Sequence, residues 1–512
     1  MTPRLSAPAD EARAPFVVGI DIGSGGSRAA LYDATGREVG RRKHKVLHTF
    51  TTGADGTSTI DADQVVDEIL EALDAVLDGW TAPIAAIGVD TFASSILAVG
   101  ADGRALTPCI TYADTRCRDQ AARLRETLDG ERLHDVTGTR IHSSYNTARL
   151  MWLRETQPDV VAKAARFMAL GEYAAARLLG EGALGTAGAA WGGMLDRRSG
   201  GYVDELLETA GVSADQLGAP TDPADGPTVD AASLLGRRFP VLAGARWVPV
   251  VGDGLCANIG IGATGDGAWG ISTATSGAIR VLLSSEVLRL PGGLWAYRVD
   301  RQRTLVGSAM SDCGRVLDFA RATFRLPDAP AALGADAAGV RGSGGPLAGI
   351  DTEALFSAPP AATTPLVVPF LSGERGTKWR DAARAIWAGV SPSTTPEDML
   401  RGSMEGLALS FLRIADQLRS IGGAPSRIRL SGGMTGAVPA WTQILADALG
   451  TPVDHVDVSR STMRGAALLA LEGCDGADVA DAPVARRFEP VADATAHYRE
   501  RLARFEALAD LA

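Results

Sequence analysis

The stretch Phe16-Val17-Val18-Gly19-Ile20-Asp21-Ile22-Gly23-Ser24-Gly25-Gly26-Ser27 decides the reading of this chain. A short apolar run of strand type reaches an acid and then breaks into small residues. Arg28-Ala29-Ala30-Leu31-Tyr32-Asp33 follows as a second strand, Ala34 to Arg37 as a turn, and Glu38-Val39-Gly40 opens a third strand. The pattern is a β-meander with a Gly/Ser hairpin between its first two strands. Such a hairpin presents backbone N–H groups and hydroxyls that cradle phosphates. The Asp21 carboxylate suits Mg²⁺ held through water, because Mg²⁺ gives up its hydration shell reluctantly. No Gly-Lys-Ser/Thr follows, so this is not a Walker A loop. A strand follows rather than a helix, so it is not a dinucleotide turn. Taken alone, the same residues also fit a plain hairpin.

A similar pattern recurs in the second half. Ala268-Trp269-Gly270-Ile271-Ser272 leads into Thr273-Ala274-Thr275-Ser276-Gly277, and Ala278 to Leu283 follows as a strand with an early arginine, Arg280. Strand, small-hydroxyl hairpin, strand with an early arginine: the repetition predicts an internal duplication, two similar lobes that each open on a glycine-rich hairpin. Between the copies, Val65 to Leu77 has helical periodicity, Ile84 to Asp90 reads as a buried strand, and Ala121 to Leu133 and Arg149 to Glu155 read as helical. Pro220 to Gly236, rich in Pro, Asp and Gly, has the look of a linker or lid-like excursion. Trp247 to Gly252 is a further buried strand, near which the lobes divide. In the second lobe Pro396 to Ile421 is a long helix with Thr395 as N-cap and Pro396 at its first position. Arg427 to Leu430 is a strand, Pro439 to Leu449 a helix stopped by Gly450, and a last helix runs from about Ala494 to Leu508. The expected division is a first lobe over 15–247, a second over 248–485 and a helical tail over 486–512. Alternating strands and helices in two lobes give an α/β protein with a cleft between them, where ligands usually sit.

Composition narrows the function classes. A chain of 512 residues with 46% apolar and 22% charged residues buries large cores without staples. Sixty glycines exclude a helical bundle or coiled coil. The net charge of −11 disfavours nucleic-acid partners, whose binding depends on phosphate contacts. Five scattered cysteines, without metal-ligand spacing, read as reduced thiols of a cytoplasmic protein. No apolar run is long enough for a membrane span, and Met1 to Pro15 reads as a floppy lead-in.

Two further motifs carry chemistry. Val250-Val251-Gly252-Asp253-Gly254 sets a second acid at a strand end, flanked by glycines that let a substrate approach the backbone. Asp253 there can accept a proton from an attacking hydroxyl; on spacing alone it can equally cap the helix that begins near Leu255. Leu430-Ser431-Gly432-Gly433-Met434, between a strand and a helix, admits a flat base or ribose against the backbone.

Together these motifs, in order over residues 16 to 475, resemble the FGGY carbohydrate kinases, which share a duplicated actin-like ATPase fold with heat-shock chaperones and actin. The resemblance implies ATP and Mg²⁺ as cofactors, with two lobes closing on ATP and sugar to exclude water. It implies Asp253 as the base toward the substrate hydroxyl and Asp21 at the Mg²⁺. Ser24, Ser27, Arg28 and Thr275 would face the phosphates, and Gly314, Gly432, Gly433 and Met434 the nucleotide. The sugar side would come from Ser94, Tyr112, Asp114, Arg116, Ser144 and Tyr145, with Asp253. Gly252 to Asn258, Gly293 to Tyr297 and Pro369 to Arg375 look most like gluconokinases. The expected reaction is therefore ATP-dependent phosphorylation of a small sugar acid, sugar or polyol, with gluconate to 6-phosphogluconate leading. The alternatives are a xylulokinase- or polyol-kinase-like activity and an ATP-driven switch on the same scaffold. The resemblance allows a homodimer.

This chain departs from the family at several positions. Ala93-Ser94 stand where the family often has Trp-His or Met-His, which predicts a wider pocket. Tyr112 stands for tryptophan, Arg28 for lysine, and Ala274 for the glycine before Thr275. For a carboxylate substrate, Arg116, Arg140 and Arg149 with His142 are the candidate partners; the alternative for Arg116 is a pair with Asp114 in its own loop. Glu374-Arg375 reads as a structural ion pair at a lobe face or as a substrate contact.

Overall fold

The computed structural model describes residues 5–284, 287–324 and 350–512. The opening meander forms β1 (Phe16–Gly23), β2 (Gly26–Tyr32) and β3 (Glu38–Val46). Helix α1 (Ala62–Leu77) follows, with Asp61 accepting from the amides of Asp63 and Gln64 at its N-terminus. Its buried Val65, Ile69, Leu73 and Val76 recur every three or four residues and seal one face of the sheet. Strands β4 (Ile84–Thr91) and β5 (Arg246–Gly252) then add in parallel, giving the order β3-β2-β1-β4-β5.

The second half repeats this plan. After α2 (Asp253–Gly260) come β6 (Ala268–Thr273), β7 (Gly277–Leu283) and β8 (Thr304–Met310) as an antiparallel meander. The long α3 (Pro396–Gly422) precedes β9 (Arg427–Ser431), which pairs in parallel with β6. Helix α4 (Trp441–Leu449) and strand β10 (Val453–Val456) complete the order β8-β7-β6-β9-β10. Over these five strands order and direction match the first lobe, so the duplication seen in the hairpins extends through both sheets, the second adding Trp295–Arg298 beside β8 and Val484–Phe488 beside β10. The N-terminus of α3 carries the expected cap, a box between Thr395 and Asp398. Gly450 ends α4 in the left-handed conformation.

Two helices tie the lobes together. Helix α5 (Ser461–Leu471) leaves the second sheet after β10 and packs on β1 and β4 of the first. Gly19 and Gly88 lie beneath it, where a Cβ would run into the carbonyls of Met463 and Ala466. Helix α2 leaves the first sheet after β5 and abuts β6, where Gly270 lies against Asn258. The helices cross at Gly260 and Gly465, each set against the partner helix's backbone. Between the lobes, Leu255, Cys256 and Ile259 of α2 share a core with Met463, Ala466 and Ala467 of α5.

Several expectations change. Residues 1–4 lie outside the described residues. The rest of the supposed lead-in is held: Ser6–Ala7 pairs in parallel with Glu38 and Val39, extending the first sheet. Pro220 to Gly236 is neither linker nor lid, because Val229 and Leu235 sit in the first core and Gly226 packs under Trp247. Ala121 to Leu133 is two helices, Arg118–Thr127 and Gly130–Thr137, with Asp129 capping the second. The division at 247/248 falls inside β5, a strand of the first sheet. The division at 485/486 falls inside Val484–Phe488, which pairs with β10. Helix α6 (Ala492–Leu511) buries Tyr498, Phe505 and Ala509 in the second-lobe core rather than hanging as a tail. No helix of the described residues is long and apolar enough to cross a membrane. The five cysteines are free thiols, and all but Cys474 are buried.

Candidate active site

The parallel register of β1, β4 and β5 gathers three acids at their C-terminal ends. Asp21 lies opposite Asp90, Asp90 lies opposite Val251, and Asp253 opens α2 two residues further on. Asp253 is the first residue of its helix, after the N-cap Gly252. Its carboxyl is therefore not the cap but turns into the interlobe cleft, partly exposed. Burial pushes it up to about 6, against the pull of Arg280, with Asp21 adding to the rise. Arg280 donates to the Ser272 hydroxyl at 3.1 Å. The glycines around Asp253 answer to the protein itself: a Cβ on Gly252 would meet Trp191, and one on Gly254 would crowd both Trp191 and Arg280.

Asp21 is engaged by Arg28 at 3.0 Å and by Thr462, at the start of α5, at 2.8 Å. Arg28 stands opposite Lys45 in the sheet, so two cations flank the first hairpin. Asp90 is a residue the sequence reading passed over as part of a buried strand. It is fully buried, neither carboxyl oxygen has a hydrogen-bond partner, and burial with the charges of Asp21 and Asp253 raises its pKa well above the carboxylate range. The missed signal was in plain view: an acid ending an apolar run, the same pattern that marked Asp21 and Asp253.

The hairpin tips are exposed at Ser24-Gly25 and at Ala274-Thr275-Ser276. Gly314 lies against the second tip, its amide bonded to the Ala274 carbonyl at 2.8 Å. Gly432, at φ 135°, passes so near Thr273 that no side chain fits, and Gly433 opens the short helix Gly433–Ala437 beside it. Met434 is corrected as a nucleotide contact through its side chain, which is buried against Cys313. Ser27 is corrected too. Strand alternation sends it to the face opposite Arg28, where its buried hydroxyl donates to Glu68 at 2.7 Å. His48 contacts the same carboxylate oxygen at 2.7 Å.

On the sugar side Tyr112 is exposed, with Ser24 and Asp253 near its phenol. Tyr145 shares a hydrogen bond with Tyr297 at 2.8 Å, and Tyr297 stacks on Trp191 with ring centroids 4.1 Å apart. Trp191, unforeseen in the sequence, is held by the Ser94 hydroxyl, which donates to its carbonyl at 2.7 Å. Ser144 lies 2.9 Å from His142 Nδ1. Burial, with Arg375 nearby, lowers the His142 pKa to about 4, so the ring is neutral at neutral pH.

The expected carboxylate partners are all engaged. Asp114 accepts from the Ser58 amide and pairs with Arg116, whose guanidinium lies over Trp152 at 4.3 Å. Asp114 and Arg116 thus brace their own loop. Arg140 binds the Gly292 carbonyl and Glu131. Arg149 is buried and bonds the carbonyls of Ser94 and Thr111. Glu374 does not pair with its neighbour Arg375. It pairs with Arg413 at 2.8 Å and Arg380 at 2.7 Å.

A strand-end acid in a cleft, two exposed small-residue hairpins and a duplicated sheet plan define a two-lobed phosphotransferase. The chain matches the N-terminal domain of the FGGY family of carbohydrate kinases over residues 16–225 and its C-terminal domain over 271–473; it belongs to this family and is a sugar kinase. Family membership also sets aside the reading as an ATP-driven switch. It is 24% identical to a gluconokinase of Bacillus subtilis (strain 168), over 94% of this chain and 93% of that protein. It is 23% identical to a xylulose kinase of Escherichia coli (strain K12), over 86% of each. The fold superposes on a gluconate kinase from Lactobacillus acidophilus with a TM-score of 0.85 at 21% identity, covering 97% of this chain and 98% of that one. A xylulose kinase from the same organism superposes equally well, at 0.85 and 21% identity.

Proposed function

We propose that the protein phosphorylates an open-chain sugar acid with ATP, gluconate to 6-phosphogluconate being the leading reaction. The observation that carries the reading is Asp253: a carboxyl raised to about 6 at a strand end, with Asp21, Arg280 and the Tyr112 phenol nearby. Asp253 would orient the substrate hydroxyl and receive its proton late in transfer, when the new O–P bond forms and the bond to ADP breaks. Arg280 keeps Asp253 ionised enough to take that proton. Thr275 and Ser24 would meet the phosphates at the hairpin tips, with Arg28 and Lys45 offsetting their charge. Asp21, whose other oxygen is not engaged by Arg28 or Thr462, would hold Mg²⁺ through water; beside it the donor-free oxygens of Asp90 fit a nearby cation. MgATP, when bound, supplies the phosphoryl group and the metal charge that offsets its oxygens.

The gluconokinases among the relatives support the sugar-acid choice. A neutral ketose or polyol is the second reading, supported by the xylulose kinases among them and by the engagement of Arg116, Arg140 and Arg149 in the protein's own contacts. An ATP-consumption screen over gluconate, xylulose, ribulose, glycerol, erythritol and related polyols tests both. Turnover exceeding gluconate's on any neutral compound would overturn the sugar-acid reading.

A further inference from the structure

With the expected arginines engaged, Arg375 of the other lobe stands, among the described residues, as an unpaired cation near the sugar side. Both neighbours of Arg375 are buried and anchored. Glu374 is clamped by Arg380 and Arg413, and its amide bonds the Arg380 carbonyl at 2.9 Å. Gly376 is pressed against Ser308 and Ile414, with no room for a side chain. Between them Arg375 alone is exposed, and it makes no side-chain hydrogen bond or ion pair with any described residue. The acid on the same cavity wall, Asp312, is engaged by Arg315 at 2.8 Å and by Ser372.

The surroundings of Arg375 belong largely to the first lobe. Its charge acts on the phenols of Tyr112 and Tyr145 and on the imidazole of His142, as well as on Tyr297 and Arg280 of its own lobe. Tyr112 is acted on by both Asp253 and Arg375, so both charges lie near its phenol. Arg280 answers Asp253 at the reacting end, and Asp381 lies near His142, but no described acid pairs with Arg375. Phenol hydroxyls and a neutral imidazole near an unpaired guanidinium suit an anion that also carries hydroxyls.

We propose that Arg375 is a specificity residue that binds the carboxylate of the sugar acid across the cleft, at the end of the substrate remote from Asp253. This assignment rests on the sugar-acid reading above. It gives the second lobe a direct contact with the substrate, so the anion itself draws the lobes together. The guanidinium fork matches a carboxylate with two parallel bonds, which the ammonium of lysine cannot reproduce.

The test compares gluconate with sorbitol, an uncharged polyol of equal length, in wild type, Arg375→Gln, Arg375→Lys and Arg116→Gln. The expected result is a rise in the gluconate KM of about tenfold or more in Arg375→Gln, with the gluconate-to-sorbitol ratio of kcat/KM falling by the same factor. Arg375→Lys recovers part of that ratio, and Arg116→Gln lowers both substrates together. Thermal unfolding of both Arg375 variants stays near wild type, because the side chain is exposed and makes no hydrogen bond or ion pair with a described residue. Equal losses of kcat/KM on both substrates, or an unchanged ratio, would overturn the assignment while leaving the sugar-acid reading standing. A wild-type enzyme inactive on gluconate and on shorter aldonates, yet active on sorbitol, would overturn the sugar-acid reading and the assignment with it.

Discussion

Thr462 donates from Oγ1 to Asp21 Oδ2 at 2.8 Å, across 441 residues of chain. The bond joins the N-terminus of α5, a helix of the second half, to the hairpin that opens the first. Asp21 therefore sits where the positive end of α5 favours a negative charge, and its orientation depends on the two lobes staying docked. Gly19 and Gly88 make this possible by letting α5 lie directly on the sheet one step before the acids. Site and interlobe packing are thus one structure.

Asp253→Asn should separate catalysis from stability. Loss of the base is expected to cost on the order of 10²–10⁴ in single-turnover rate. The same change should raise the unfolding midpoint. The native carboxyl binds its proton at about 6 rather than 3.8, so between those values the folded chain holds more protons than the unfolded one. Stability then falls as pH rises through that window and stays lowered at neutral pH, by roughly 1–3 kcal/mol, a deficit asparagine lacks. Calorimetry at pH 4 and pH 7.5 reads it: the variant's advantage should appear only at the higher pH. Turnover within about threefold of wild type would refute the catalytic role.

The same carboxyl sets the acid limb of activity. The pH profile of kcat/KM should fall with unit slope below about 6, the value to which burial raises Asp253. An acid limb that breaks near the ordinary carboxylate value would show that Asp253 is not the titrating base.

Ser27→Ala should leave the KM for ATP near wild type, since the hydroxyl faces α1 and not the cleft. It should instead lower stability by about 1–3 kcal/mol, because Glu68 loses a buried donor. A large rise in the KM for ATP with unchanged stability would return Ser27 to the phosphate site.

Ala274→Gly should retain or raise activity, with equal or tighter ATP binding. Ala274 is exposed at the hairpin tip, is absent from the residues with positive φ, and contributes its carbonyl to Gly314. Its methyl group therefore strains nothing. A tenfold weaker affinity for ATP in the glycine variant would mark the alanine as an adaptation of the hairpin.

Gly465→Ala should destabilise the docked lobes. A Cβ there would strike the backbone of Cys256, where α2 and α5 cross. Backbone cannot move aside as a side-chain tip can, so a cost of about 1–3 kcal/mol is expected. Differential scanning calorimetry should show a lower midpoint or a split transition.

The sequence by itself determined the duplicated plan, the two hairpins and the acids Asp21 and Asp253. These are local signals: an apolar run of strand length, an acid at its end, small residues where the chain must turn. The long α3, its Thr395 cap and the Gly450 stop are local in the same way. Asp90 was legible by that rule, and strand alternation alone would have turned Ser27 away from Arg28. Only the tertiary structure decided which polar groups are free. Arg116 is held by Asp114 in its own loop, whereas Arg140 and Arg149 are drawn to carbonyls from distant segments. Glu374 takes Arg413, 39 residues away, in preference to the arginine beside it. Adjacent residues in an extended segment point apart, whereas a buried charge must find a partner wherever the fold supplies one. Glu374 is buried and Arg375 is not, and that difference leaves the Arg375 guanidinium exposed and unpaired among the described residues.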